Sequence, residues 1–71
     1  MAISITVRGS DGQRLSVNGV LKRRPLSEAG NRYVVNTGLN DFVATSLAGG
    51  SKQLSRTLSA NDRGTVIDMR S

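Results

Sequence analysis

Residues 1–8 read Met1-Ala2-Ile3-Ser4-Ile5-Thr6-Val7-Arg8, and their alternation decides the class of fold. Ile3, Ile5 and Val7 fall on one side of an extended chain and Ser4, Thr6 and Arg8 on the other, the period of two that marks a half-buried strand. Ser10-Asp11-Gly12 follows, with an Asp-Gly pair suited to a tight hairpin turn, so a second strand is expected from Gln13 with Leu15 and Val17 facing inward. Asn18-Gly19 offers another turn almost at once. Either the second strand runs through it with a bulge, which the shortness of the alternative favours, or a brief third strand covers residues 20–24. Pro25 has no amide hydrogen and ends pairing there.

Farther along, residues 26–31 read as a loop with Gly30-Asn31 as its turn, and residues 32–36 as a compact strand built on Tyr33, Val34 and Val35. Asn40 suits a helix N-cap and Asp41 a first helical turn. Phe42, Val43 and Leu47 then share a helical face before Gly49-Gly50, which predicts a short helix over residues 41–48. The last third supports two readings. Leu54 and Leu58 stand four apart, as on a helix, yet residues 53–59 also alternate and are rich in Ser and Thr. Asn61-Asp62-Arg63-Gly64 forms a good hairpin loop, with Gly64 able to take the left-handed conformation, and residues 65–70 form a strand offering Ile67 and Met69 to the core. The expected fold is therefore α+β and β-rich: one domain over residues 1–71, a small antiparallel sheet of hairpins, and one short helix at about 41–48. A C-terminal hairpin is favoured; a second helix at about 52–60 before the last strand is the alternative.

Composition narrows function by exclusion. With no Cys and no His, disulfides, thiolate metal sites and the common zinc ligand sets are ruled out. Candidate groups for catalysis shrink to Lys22, Lys52, Tyr33, hydroxyls and five scattered carboxylates. Asp11 and Asp62 sit in expected turns, Asp41 at an expected helix start, Glu28 in a loop and Asp68 on the solvent side of a strand, and none forms a catalytic pair. Gly49-Gly50-Ser51-Lys52 is like the end of a phosphate-binding loop, but Thr45 occupies the place of the first required glycine. No catalytic residue, cofactor or metal is expected, and the chain is read as a non-enzyme.

The charge is the most informative compositional feature. Ten Lys and Arg stand against five Asp and Glu, for a net charge of +5, and such an excess attracts polyanions. Arg outnumbers Lys, and the guanidinium favours bidentate contact with carboxylate or phosphate. Lys22-Arg23-Arg24 is the densest run, and Arg14, Arg32, Arg56 and Arg63 are candidates to join it in an anion- or partner-binding face. As a solvated strand end, the same run would discourage edge-to-edge aggregation. Single-strand nucleic-acid modules stack bases on aromatics, and Tyr33 and Phe42 are the only aromatic residues here.

The segment Lys52-Gln53-Leu54-Ser55-Arg56-Thr57-Leu58 through Arg63-Gly64-Thr65-Val66-Ile67 resembles the tail of the small CpcD-type phycobilisome linker domain over less than a third of the chain. The resemblance implies a helix followed by a glycine and a final apolar strand, in a basic, non-catalytic cap that docks on acidic ring-shaped proteins. The chain departs from it at Tyr33-Val34-Val35, where the family's Pro-Tyr is absent, and residues 36–51 would be an insertion.

The leading expectation is a structural, assembly or linker protein, such as a virion component. It would dock through a sheet edge and an Arg-rich face to an acidic protein partner, or assemble with itself as a homo-oligomer. A small nucleic-acid-binding protein, either a dimeric regulator or a packaging protein, is the alternative. No stretch approaches the roughly 18 apolar residues of a membrane helix, and the N-terminal alternation is unlike a signal peptide, so a cytoplasmic location or one within a large assembly is expected.

Overall fold

The computed structural model describes residues 1–70, and in it two small sheets pack face to face. The strands are β1 (Ala2–Arg8), β2 (Arg14–Val17), β3 (Val20–Leu21), β4 (Asn31–Asn36), β5 (Gly38–Thr45), β6 (Ser51–Leu58) and β7 (Val66–Asp68). One sheet has the order β4-β1-β7 and the other β3-β2-β5-β6. Their inward residues form one core, in which Ile3, Ile5, Val7, Tyr33, Val35 and Ile67 from the first sheet meet Leu15, Val17, Phe42, Ala44 and Leu58 from the second. The alternation of β1 and the inward placement of Leu15, Val17, Ile67 and Met69 agree with the sequence expectation.

The chain passes repeatedly from sheet to sheet. At the tightest crossing β4 ends at Asn36 and β5 begins at Gly38, whose φ of +105° lets the backbone turn the corner at no steric cost. Asn18 and Gly19 both take positive φ, the requirement of a two-residue turn of the kind that matches strand twist, and β2 returns there as β3. The short third strand is thus the arrangement formed, though only over Val20–Leu21, and the favoured run-through strand is not. Pairing stops before Pro25, as expected.

Four expectations need correction. There is no α-helix among the described residues, so the fold is two-sheet β rather than α+β, and one short 3-10 turn at Ala60–Asp62 is the sole helical element. Residues 41–48 are not a helix but the end of β5 and its hairpin loop. Asn40, Phe42 and Ala44 point inward in alternation, while Leu47 is 82% exposed. Residues 52–60 are not a helix either, because β6 runs to Leu58; the helix that the linker resemblance implies is a strand. Nor does β6 form a C-terminal hairpin with the last strand. It pairs antiparallel with β5, whereas the 3-10 turn carries the chain across to lay β7 parallel to β1. Gly64, at φ +82°, does take the left-handed conformation at that crossing.

Candidate functional site

The described surface holds no group of three or more Asp and Glu placed to bind a metal ion. No helix among the described residues is long and apolar enough to cross a membrane. What distinguishes the surface is its charge.

Most of the few carboxylates are occupied by the chain itself. Asp11 accepts from the Glu28 amide, Asp41 from the Ser55 hydroxyl, and Asp62 from the amide of Ser59, capping the 3-10 turn. Asp68 accepts from the Arg70 amide and from two nitrogens of its guanidinium. Those hydrogen bonds hold the Asp68 carboxyl down to about 2. The 2.8 Å pair of Arg70 and Asp68 is the one ion pair among the described residues. Among the described residues, the other nine Lys and Arg side chains have no carboxylate within salt-bridge distance.

Of these cations, Arg8 ends β1 and donates to the Glu28 carbonyl at 2.9 Å, and the other eight lie in four places. The first is the segment after β3. Lys22 Nζ reaches the Val34 carbonyl at 3.4 Å, the Tyr33 hydroxyl donates to the Arg24 carbonyl at 2.8 Å, and Asn31 Nδ2 donates to the Pro25 carbonyl. Residues 22–25 are thereby pinned along the outer edge of β4, leaving Arg23 and Arg24 exposed. Arg32, on β4, is exposed on the outer face of that same sheet. Lys22, Arg23, Arg24 and Arg32 therefore share one side of the sandwich. Burial of Tyr33 pushes its hydroxyl pKa up, so the ring is a buried clamp on the basic segment rather than a surface for stacking bases.

The second place is β6. Arg56 lies opposite Asn40 of β5 and Lys52 opposite Ala44, both inward-facing residues, so Arg56 and Lys52 point toward the inner side of the sheet. They remain exposed. Lys52 Nζ donates to the Arg70 carbonyl at 3.0 Å. Arg14 and Arg63 are elsewhere: Arg14 opposite Thr45 on the outer face of the second sheet, Arg63 just past the 3-10 turn. The seven sequence candidates thus do not form one face. Lys52 was absent from that set, yet it shares a strand face with Arg56. The signal was the spacing of four across Leu54, which places both cations on one side of a strand as well as of a helix.

A cavity of about 260 Å³ opens on the first of these sides, between β2–β3 and β4, lined by Val17, Val20, Lys22, Val34, Asn36 and Asn40 among others. Its polar wall is internally satisfied: Asn40 Oδ1 accepts from Asn18 Nδ2, and Asn40 Nδ2 donates to the Asn36 and Gly38 carbonyls. No family model, curated protein or solved structure matches the chain.

Proposed function

We propose that this chain is a non-catalytic assembly or linker module that docks on an acidic protein partner inside a larger complex. The observation that carries this reading is the set of nine cations with no carboxylate partner within the described chain. A +5 surface whose own acids are mostly engaged in turns and caps projects an uncompensated field, which speeds and orients encounter with an anionic surface. The Arg bias suits planar, bidentate contact with carboxylates. Burial of Tyr33 and Phe42 removes both aromatic side chains as stacking platforms, which weighs against single-stranded nucleic acid. Two copies of the chain carry the same sign, so an acidic partner is favoured over self-association through these surfaces.

The test is a direct competition. Affinities for polyglutamate and for duplex DNA of matched charge are measured by fluorescence anisotropy across a salt series. The expected result is binding of polyglutamate at least as tight as that of DNA at equal salt, weakening as salt screens the contacts. Preference for DNA by an order of magnitude, with the steep salt slope of counterion release, would replace this reading with a nucleic-acid function.

A further inference from the structure

We propose that the open edge of β6 is the partner-recognition element, and that it adds an extended acidic strand of the sequence pattern acidic–any–apolar–any–acidic. This rests on the acidic-partner reading above and names where and how that partner is held.

The sandwich has four strand edges, and three are short or covered. β3 has two residues and β7 three. On β4, the Val34 carbonyl takes a hydrogen bond from Lys22 and the Asn36 carbonyl takes one from Asn40. β6 is different. All eight of its residues pair in unbroken register with β5, and among the described residues no strand pairs with its other side. It contains no proline and no bulge; what guards it is charge, the inward-pointing Lys52 and Arg56, which discourage a cationic strand and leave an acidic one free to add.

The phase of the ladder says which groups are on offer. The Ser46 amide donates to the Gly50 carbonyl at the mouth of the β5–β6 hairpin. Alternation of an antiparallel ladder then turns the backbone groups of Lys52, Leu54, Arg56 and Leu58 toward β5, and those of Ser51, Gln53, Ser55 and Thr57 outward. The Asn18 amide donates to the Asp41 carbonyl on the far side of β5, which is the phase this requires. Four residues therefore present amides and carbonyls in the geometry that strand addition uses.

Side chains then specify the guest. Residues opposite Lys52, Leu54 and Arg56 on an added antiparallel strand would lie close enough for direct side-chain pairing. Leu54 is partly buried against the core and calls for an apolar residue opposite. Among the described residues Lys52 and Arg56 have no carboxylate partner, Lys52 Nζ donating only to the Arg70 carbonyl, and they call for acids two residues to either side of it. In the register centred on Leu54 a second copy of β6 is a poor guest, because Lys52 of each copy falls against Arg56 of the other, and like charges directly opposite destabilise a pair.

The test uses the intact chain, isotopically labelled, and a capped peptide with a Glu-Thr-Val-Thr-Glu centre flanked by threonines. Its binding is expected to slow amide hydrogen exchange of Ser51, Gln53, Ser55 and Thr57 by about tenfold or more, with matching shift changes along β6. Lys52→Glu with Arg56→Glu should weaken the peptide about tenfold and create affinity for a Lys-Thr-Val-Thr-Lys counterpart. Gln53→Pro, which removes an outward amide, should block protection while leaving the β5–β6 ladder intact. If the peptide or polyglutamate binds but perturbs only residues 22–24 and 32, the β6 inference is overturned and the acidic-partner reading stands. If neither binds, both fall.

Discussion

At the scale of single residues, Asn40 shows how a polar side chain can serve a core. It is 1% exposed, and its amide bridges the β2–β3 turn through Asn18 to the β4–β5 corner through the carbonyls of Asn36 and Gly38. Replacing it removes the buried side chain whose three hydrogen bonds tie that turn to that corner. Asn40→Ala is expected to cost about 1–3 kcal/mol in denaturant unfolding, whereas alanine at the exposed Asn36 side chain should stay within about 0.5 kcal/mol. In sequence, Asn40 is legible only as a polar residue before an acid, which is how a helix start looks. Nothing local says that its side chain is needed inside. Asp68 carries the other residue-scale prediction. Its carboxyl is held down to about 2 by Arg70, against about 3.9 in an unfolded chain. A depressed carboxyl contributes stability that is present above the unfolded pKa and is lost as pH falls through the folded one. The stability gap between the native chain and Asp68→Asn should therefore shrink as pH drops from about 4 to about 2. Because the pair is exposed, that gap should be small and salt-sensitive. A gap unchanged across this range would show that the pair does not couple to folding.

At the scale of elements, legibility followed the length of the alternation. β1 has three inward apolar residues in strict period and reads correctly, as do Leu15 and Val17 of β2. β5 was misread because two of its three inward positions are occupied by Asn40 and Ala44, leaving Phe42 alone to signal a strand face. β6 was ambiguous for a geometric reason: residues four apart share a face in a strand and a helix alike, so Leu54 and Leu58 cannot decide between them. Partner choice was the larger gap. Turn signals at Asp11-Gly12 and at residues 61–64 suggest hairpins, but both are crossings between sheets, because the core each flanking strand completes lies on opposite layers. The candidate basic face was legible in part. The run at residues 22–24 was visible, whereas the anchoring of that run on β4 depends on long-range contacts from Tyr33 and Asn31. Tyr33→Phe tests that anchor. It deletes the hydroxyl that holds the Arg24 carbonyl, and should cost about 0.5–1.5 kcal/mol. Faster amide exchange should be confined largely to residues 22–26, while β1 and β5 stay protected. Uniform loosening of both sheets would mean that the hydroxyl supports the core and not the basic segment.

For the whole molecule, the economy of the fold accounts for where its charges go. A chain this short buries a smaller share of its surface than a large domain, and here the inward apolar residues of both sheets form one core while Val20, Leu21, Val34, Leu39 and Val66 stay exposed. Acids close turns and cap the 3-10 turn, so cations carry the surface at two opposite sides of the sandwich, beside β4 and along β6. On the proposed reading, such a molecule gains from an acidic neighbour that supplies what its own sequence withholds. The most direct test is the solution mass of the chain by light scattering, alone and with one equivalent of polyglutamate, in low and in high salt. The account predicts a stoichiometric complex in low salt that returns to the mass of the chain alone in high salt. The mass of the chain alone in both conditions would contradict it.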